Sequence, residues 1–125
     1  KVYIADNSEI FIDEIVKEIN LCQEKGFQSI CLICKTEKNS IYLFNKIKHK
    51  LDIQLIKNGS VSDLQGVFIL PVYMSKGLEF DAVLICDADS QNYHDEDDKN
   101  LLYVACTRAL HKLCLFCENE VSPLI

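Results

Sequence analysis

The sequence predicts an α/β domain built on a mainly parallel sheet with helices on both faces. Two observations carry that prediction. The apolar runs at 29–34, 66–72 and 82–86 are continuous rather than alternating, as strands covered on both faces read. Between them apolar residues recur at helical spacing, so strands and helices interleave along the chain. At 125 residues the chain is one domain's worth, 1–125, with no internal repeat or low-complexity tract.

Residues 2–5 read as a first strand. Asp6 and Glu9 have capping-box spacing, and Ile12, Ile15, Val16, Ile19 and Cys22 then form the apolar face of a helix that Lys25-Gly26 stops. The run at 29–34 is the next strand, and Phe44, Ile47 and Leu51 mark a second helix after Thr36. A short strand at 53–56 and a turn at Asn58-Gly59 follow. Strands at 66–72 and 82–86 flank a turn at 76–79. An acidic connection spans 87–98, with Asp97 or Asp98 as cap for a helix over 101–110, whose inner face is Leu102, Ala105 and Ala109. A last strand covers 112–117, and Pro123 lies in a tail.

The net charge of −6 makes this domain a poor autonomous binder of nucleic acid, because affinity for phosphates comes mainly from Lys and Arg. No apolar run approaches membrane-spanning length, which predicts no membrane contact. Lys1 leads straight into a strand without a signal peptide, so the reading expects a fragment of a larger, cytoplasmic protein.

Seven cysteines invite a metal or redox module, and the pairs Cys31/Cys34 and Cys114/Cys117 have zinc-knuckle spacing. Both pairs sit inside strand-like runs, however. Strand positions three apart point to opposite faces, so the two sulfurs of a pair cannot converge on one metal. Reduced thiols acting as small hydrophobes, with no metal bound, are the expectation. The acidic stretch lacks the Gly and Glu positions of a calcium loop, and His49, His94 and His111 show no ligand spacing.

Chemistry concentrates in two segments. Residues 72–81 read Val-Tyr-Met-Ser-Lys-Gly-Leu-Glu-Phe-Asp. There Gly77 lets backbone approach a phosphate, and Glu79 offers acceptors that suit a pair of ribose hydroxyls. A plain solvated turn is the alternative. Residues 101–110 read Leu-Leu-Tyr-Val-Ala-Cys-Thr-Arg-Ala-Leu and place Arg108 among apolar or small neighbours. Such an Arg takes either an internal carboxylate or a ligand anion as partner. No G-x-x-x-x-G-K-[ST] phosphate loop (Walker A) occurs, so the chain holds at most half of a nucleotide site.

Together these two segments resemble motifs V and VI of the UvrD/Rep class of superfamily 1 helicases, and 30–36 resembles motif IV. The resemblance extends over about residues 28–118. It implies a RecA-like second motor domain of an ATP-driven DNA helicase that tracks single-stranded DNA. Arg108 would then be the arginine finger, Glu79 the ribose contact and Gly77 the residue shaping the loop, while Lys35 supplies charge to the phosphates. Tyr73 stands where the family often has a His that touches DNA, with Ser75 and Lys76 beside it. Cys34 stands where the family offers an aromatic to adenine. An N-terminal motor domain would bring Walker A, Walker B and most of the ATP and Mg²⁺ site. Only about forty residues separate Cys34 from Lys76, a compact layout similar to the helicase IV/HelD-like branch. That layout raises an alternative, the ATPase core of a factor that remodels RNA polymerase.

Overall fold

The computed structural model describes residues 2–5, 7–56, 65–118 and 120–125. Elements follow in the order β1 (Val2–Ala5), α1 (Ser8–Glu24), β2 (Ser29–Cys34), α2 (Glu37–Ile47), β3 (Gln54–Leu55) and β4 (Gly66–Pro71). A 3₁₀ turn (Val72–Met74), β5 (Phe80–Ile85), α3 (Glu96–Cys106) and β6 (Ala109–Glu118) complete the chain. The strands form one sheet in the order β1-β6-β5-β2-β4-β3, and every pairing within it is parallel. Among the described residues, no helix is long and apolar enough to cross a membrane.

Helix α1 starts where the Asn7 side chain accepts a hydrogen bond from the Ile10 N–H. Asp6, the expected cap, lies outside the described residues, as does the Asn58-Gly59 turn. The helix buries Ile12, Ile15, Ile19 and Cys22, and stops at Lys25 before Gly26, whose φ of +86° suits glycine. Thr36 caps α2 by accepting from the Asn39 N–H, and Leu43 and Ile47 supply that helix's buried face. The strand expected over 53–56 is realised at Gln54–Leu55 only.

Alternate strand residues divide between two cores. Ile30, Leu32, Ile69, Leu84 and Phe116 pack beneath α1 and α2. Ile33, Phe68, Leu70, Val83 and Ile85 pack beneath α3 and the 3₁₀ turn. Crossovers on opposite faces are what a doubly wound parallel sheet requires. A register shift between Phe80 and Ala82 lets Phe80 join the α3 side although Ala82 faces α1. There Asp81 Oδ2 accepts from the Gln28 and Ser29 N–H groups at 2.8 and 3.3 Å, tying the start of β5 to that of β2.

The cysteine pairs obey the strand geometry. Cys31 and Cys117 lie in the α3-side core, and Cys34 and Cys114 in the other. All four are buried free thiols. Cys31→Ala should therefore cost about 1 kcal/mol through lost packing, measured by denaturant unfolding, with no sensitivity to chelators.

Two expectations fail around α3. The helix spans Glu96–Cys106 rather than 101–110, and its cap is Asp95, with Asp98 as the reciprocal partner of a capping box. The acids read as loop are its first turn, where negative charge is stabilised by the helix dipole. At the other end Ala109 pairs with Phe80, and the Phe80 N–H donates to the Arg108 carbonyl. Sheet pairing thus draws 109–110 into β6, leaving Thr107 and Arg108 in the turn between helix and strand. The tail around Pro123 is anchored to the domain: the Ser122 hydroxyl, buried, donates to the Tyr93 carbonyl at 2.6 Å.

Candidate functional site

Residues 75–78 form a tight turn in which the Leu78 N–H donates to the Ser75 carbonyl at 3.0 Å. Gly77 occupies its third position with φ +80°, the conformation a type II turn reserves for glycine. Arg108 grips this turn from behind. Its Nη1 donates to the Ser75 and Leu78 carbonyls at 3.4 Å each, and its Nε to the Val104 carbonyl at 3.2 Å. Its Nη2 donates to the Thr107 hydroxyl at 3.2 Å, and that hydroxyl in turn donates to the Val104 carbonyl. Every acceptor is a neutral oxygen. No carboxylate lies within ion-pair distance of Arg108 among the described residues. The half-buried guanidinium is held in place with its charge uncompensated.

The other site residues expected from the sequence divide between two edges of the sheet. Gly77 and Glu79 are exposed and lead into β5 at its amino end, next to the turn that carries Arg108. Tyr73 follows the carboxyl end of β4; it is 54% exposed and its hydroxyl donates to Glu37 Oε2 at 3.1 Å. Lys76 is exposed. Ser75 is fully buried, its hydroxyl donating to the Val72 carbonyl at 2.6 Å, so it shapes the turn rather than presenting a polar tip.

Lys35 does not join Arg108. Its ammonium pairs with Asp98 Oδ1 at 2.6 Å in the first turn of α3, whereas Arg108 follows the last turn. From Asp98 to the end of the helix at Cys106 is about 12 Å along the axis. Lys35 and Arg108 therefore stand near opposite ends of α3. Lys35 stands on the carboxyl edge with Tyr73.

Around Lys35 the structure assembles groups that are remote in sequence. Asp87, at the end of β5, accepts from the Lys35 N–H and the Asn39 amide at 2.8 Å each through Oδ2. Burial pushes its carboxyl up to about 6, against those two hydrogen bonds, which lower it. Asp98 moves the other way, to about 2. The Lys35 hydrogen bond is the main cause, opposed by burial and helped by the His94 and Asp95 N–H groups. His94, Asp95 and Asp98 also approach within 4.8 Å, a proximity the sequence spacing did not suggest, but these carboxylates are occupied in starting α3. Sequence reasoning passed over Asp87; an acid closing an apolar run of strand length was its available signal.

The sign of the Asp87 effect is testable. Its raised value means the fold favours the protonated acid, so stability is lost as pH rises from the ordinary range near 3.8 through about 6. Asp87→Asn removes that loss. It should gain about 2 kcal/mol relative to the parent chain between pH 4 and pH 8 in denaturant unfolding. Parallel pH profiles would contradict the assignment.

The six-stranded parallel sheet and its helices define a RecA-like helicase C-terminal domain. At 12% identity the fold is shared with the E. coli DEAD-box protein SrmB, with a TM-score of 0.68 over 94% of this chain and 75% of that one. The C-terminal domain of the DEAD-box protein Dbp5 matches at 12% identity, with a TM-score of 0.64 over 95% and 76% of the two chains. The C-terminal domain of a possible DNA helicase from Lactobacillus plantarum WCFS1 is far more similar. It matches at 30% identity with a TM-score of 0.90, over 99% of this chain and 76% of the other. The family model for the UvrD-like helicase C-terminal domain matches residues 66–116. This chain belongs to that family. No curated protein matches it.

Proposed function

We propose that this domain is the second motor domain of an ATP-dependent superfamily 1 DNA helicase or translocase, and that Arg108 is its arginine finger. The observation that carries this reading is the guanidinium held by four neutral oxygens, with no carboxylate within ion-pair distance among the described residues. A structural Arg at such a position would be expected to meet an acid. A finger needs the opposite: fixed geometry and a charge left for the γ-phosphate as negative charge develops on it.

The remaining residues fit the same division of labour. Glu79, exposed beyond the Gly77 turn, is free to accept hydrogen bonds from ribose hydroxyls. Tyr73 and Lys76 would meet single-stranded DNA, the first by stacking or hydrogen bonding and the second by charge. Lys35 is assigned to that carboxyl edge and not to the nucleotide. ATP would supply the phosphoryl group, and an N-terminal motor domain the phosphate loop and Mg²⁺ ligands that this sequence lacks. None of the similarities reported above favours the RNA-polymerase alternative or the HelD-like branch.

Half a site should not turn over. The purified 125-residue chain is expected to show no ATPase activity with or without single-stranded DNA. Hydrolysis by the pure chain that disappears in Arg108→Ala would contradict the two-domain reading.

A further inference from the structure

A second site lies apart from Arg108. Strand β2 sends the chain to α2 on one face, while its neighbour β5 sends it to α3 on the other. Where the winding reverses between adjacent strands, open parallel sheets leave a crevice at the carboxyl ends that commonly holds a ligand. Here that crevice has a volume of about 230 Å³.

Its chemistry is one-sided. Phe11, Ile12 and Leu43 line it with apolar surface, and Asp87, Asp89 and Glu118 bring three carboxylates. An adjoining hollow of about 170 Å³ shares Asp89 and Glu118 and adds Glu120. Among the described residues one cation, Lys46, reaches the lining, but its ammonium lies 3.3 Å from the Ser8 hydroxyl and 4.9 Å from the centre of the Tyr42 ring. Asp87 is 8% exposed and has no cationic side chain within ion-pair distance among the described residues. Its Oδ1 is buried with no close hydrogen-bond partner among the described residues, and the Tyr93 hydroxyl beside it is the least of the influences that favour the carboxylate. A buried carboxylate lacking a counter-charge is costly, and an entering cation relieves that cost. Asp89 is held for such a role by the Gln91 and Asn92 N–H groups and the Asn92 amide.

We propose that this crevice binds an organic cation, a guanidinium or primary ammonium on a short aliphatic stem. The stem lies on Phe11, Ile12 and Leu43, and the head donates to Asp87 and Asp89. A free amine and the basic side chain of a protein partner present the same chemistry. A nucleic-acid strand does not, because three carboxylates repel its phosphates.

The test is an NMR titration of the 125-residue chain that follows the Asp87, Asp89 and Asn92 amides. Agmatine should shift them saturably, and neutral butylurea should not. Asp87→Asn and Asp89→Asn should each weaken agmatine at least about tenfold, as loss of a charge-assisted pair does. An acetyl-arginine methylamide arm identifies the source. Tighter binding than agmatine indicates a protein side chain, and weaker binding a free amine; both support the site. Equal affinity for butylurea, or unchanged agmatine affinity in both variants, would overturn the proposal. So would oligothymidylate saturating these amides while agmatine leaves them unmoved.

Discussion

Arg108→Ala in the full-length protein is expected to lower kcat by about 10³–10⁵ while the domain stays folded. The size follows from what the side chain does. Charge that builds on the transferring phosphoryl group in a dry cleft is met by a cation already in place, so little reorganisation is needed at the moment of reaction. The placement costs few contacts elsewhere. Arg108 holds the carbonyls of Ser75 and Leu78 in the turn and of Val104 in α3, and these hydrogen bonds are part-buried and run to neutral oxygens, so losing them leaves no stranded charge. Arg108→Lys should rescue poorly. An ammonium cannot reach several carbonyls and present a planar edge to phosphate at once. Steady-state ATPase beside a thermal melt checks both variants.

The second large effect concerns stability. Lys112 on β6 pairs with Glu18 on α1, and Glu18 is 2% exposed while Lys112 is 21% exposed. The Tyr3 hydroxyl also donates to Glu18 at 3.1 Å, and the Cys114 thiol lies 3.4 Å from it. Burial pushes the Glu18 carboxyl up, but the hydrogen bonds from Lys112 and Cys114 and the Lys112 charge bring it below its ordinary value. Lys112→Ala strands that carboxylate in the core. It should cost about 3 kcal/mol, the low end for breaking a buried pair because water reaches the lysine end. Glu18's contribution is present above the ordinary carboxylate range and lost as pH falls through the lowered value. The penalty of the variant should therefore shrink in acid. Replacing both partners, Glu18→Leu with Lys112→Met, should recover most of the loss in urea unfolding at pH 7.

How much of this was legible depended on how far apart the partners lie in sequence. Strand β2 could be read to the residue because Ile30, Cys31, Leu32 and Ile33 form an unbroken apolar run bounded by Ser29 and Lys35. The cysteine directions followed from strand geometry alone. The ends of α3 did not, because its C-terminus is set by Ala109 pairing with Phe80, a contact made by the sheet. Arg108 stood out as a lone cation among small residues, yet its holders could not be seen. Two of them are backbone carbonyls of a turn about thirty residues earlier, Ser75 and Leu78, and backbone carbonyls carry no residue signature. The Lys35 pairing was hidden for the same reason. Its partner Asp98 sits across the sheet's carboxyl edge, and only the fold makes them neighbours.

The central claim is that Arg108 serves the transition state and not nucleotide binding as such. Its most direct measurement compares the full-length protein with Arg108→Ala for affinity toward ATP and toward ADP–aluminium fluoride with Mg²⁺, in the presence of single-stranded DNA. The account predicts ATP affinity within a few-fold of the parent and at least a hundredfold weaker binding of the transition-state mimic. Equal losses for both ligands, or no loss for either, would contradict it.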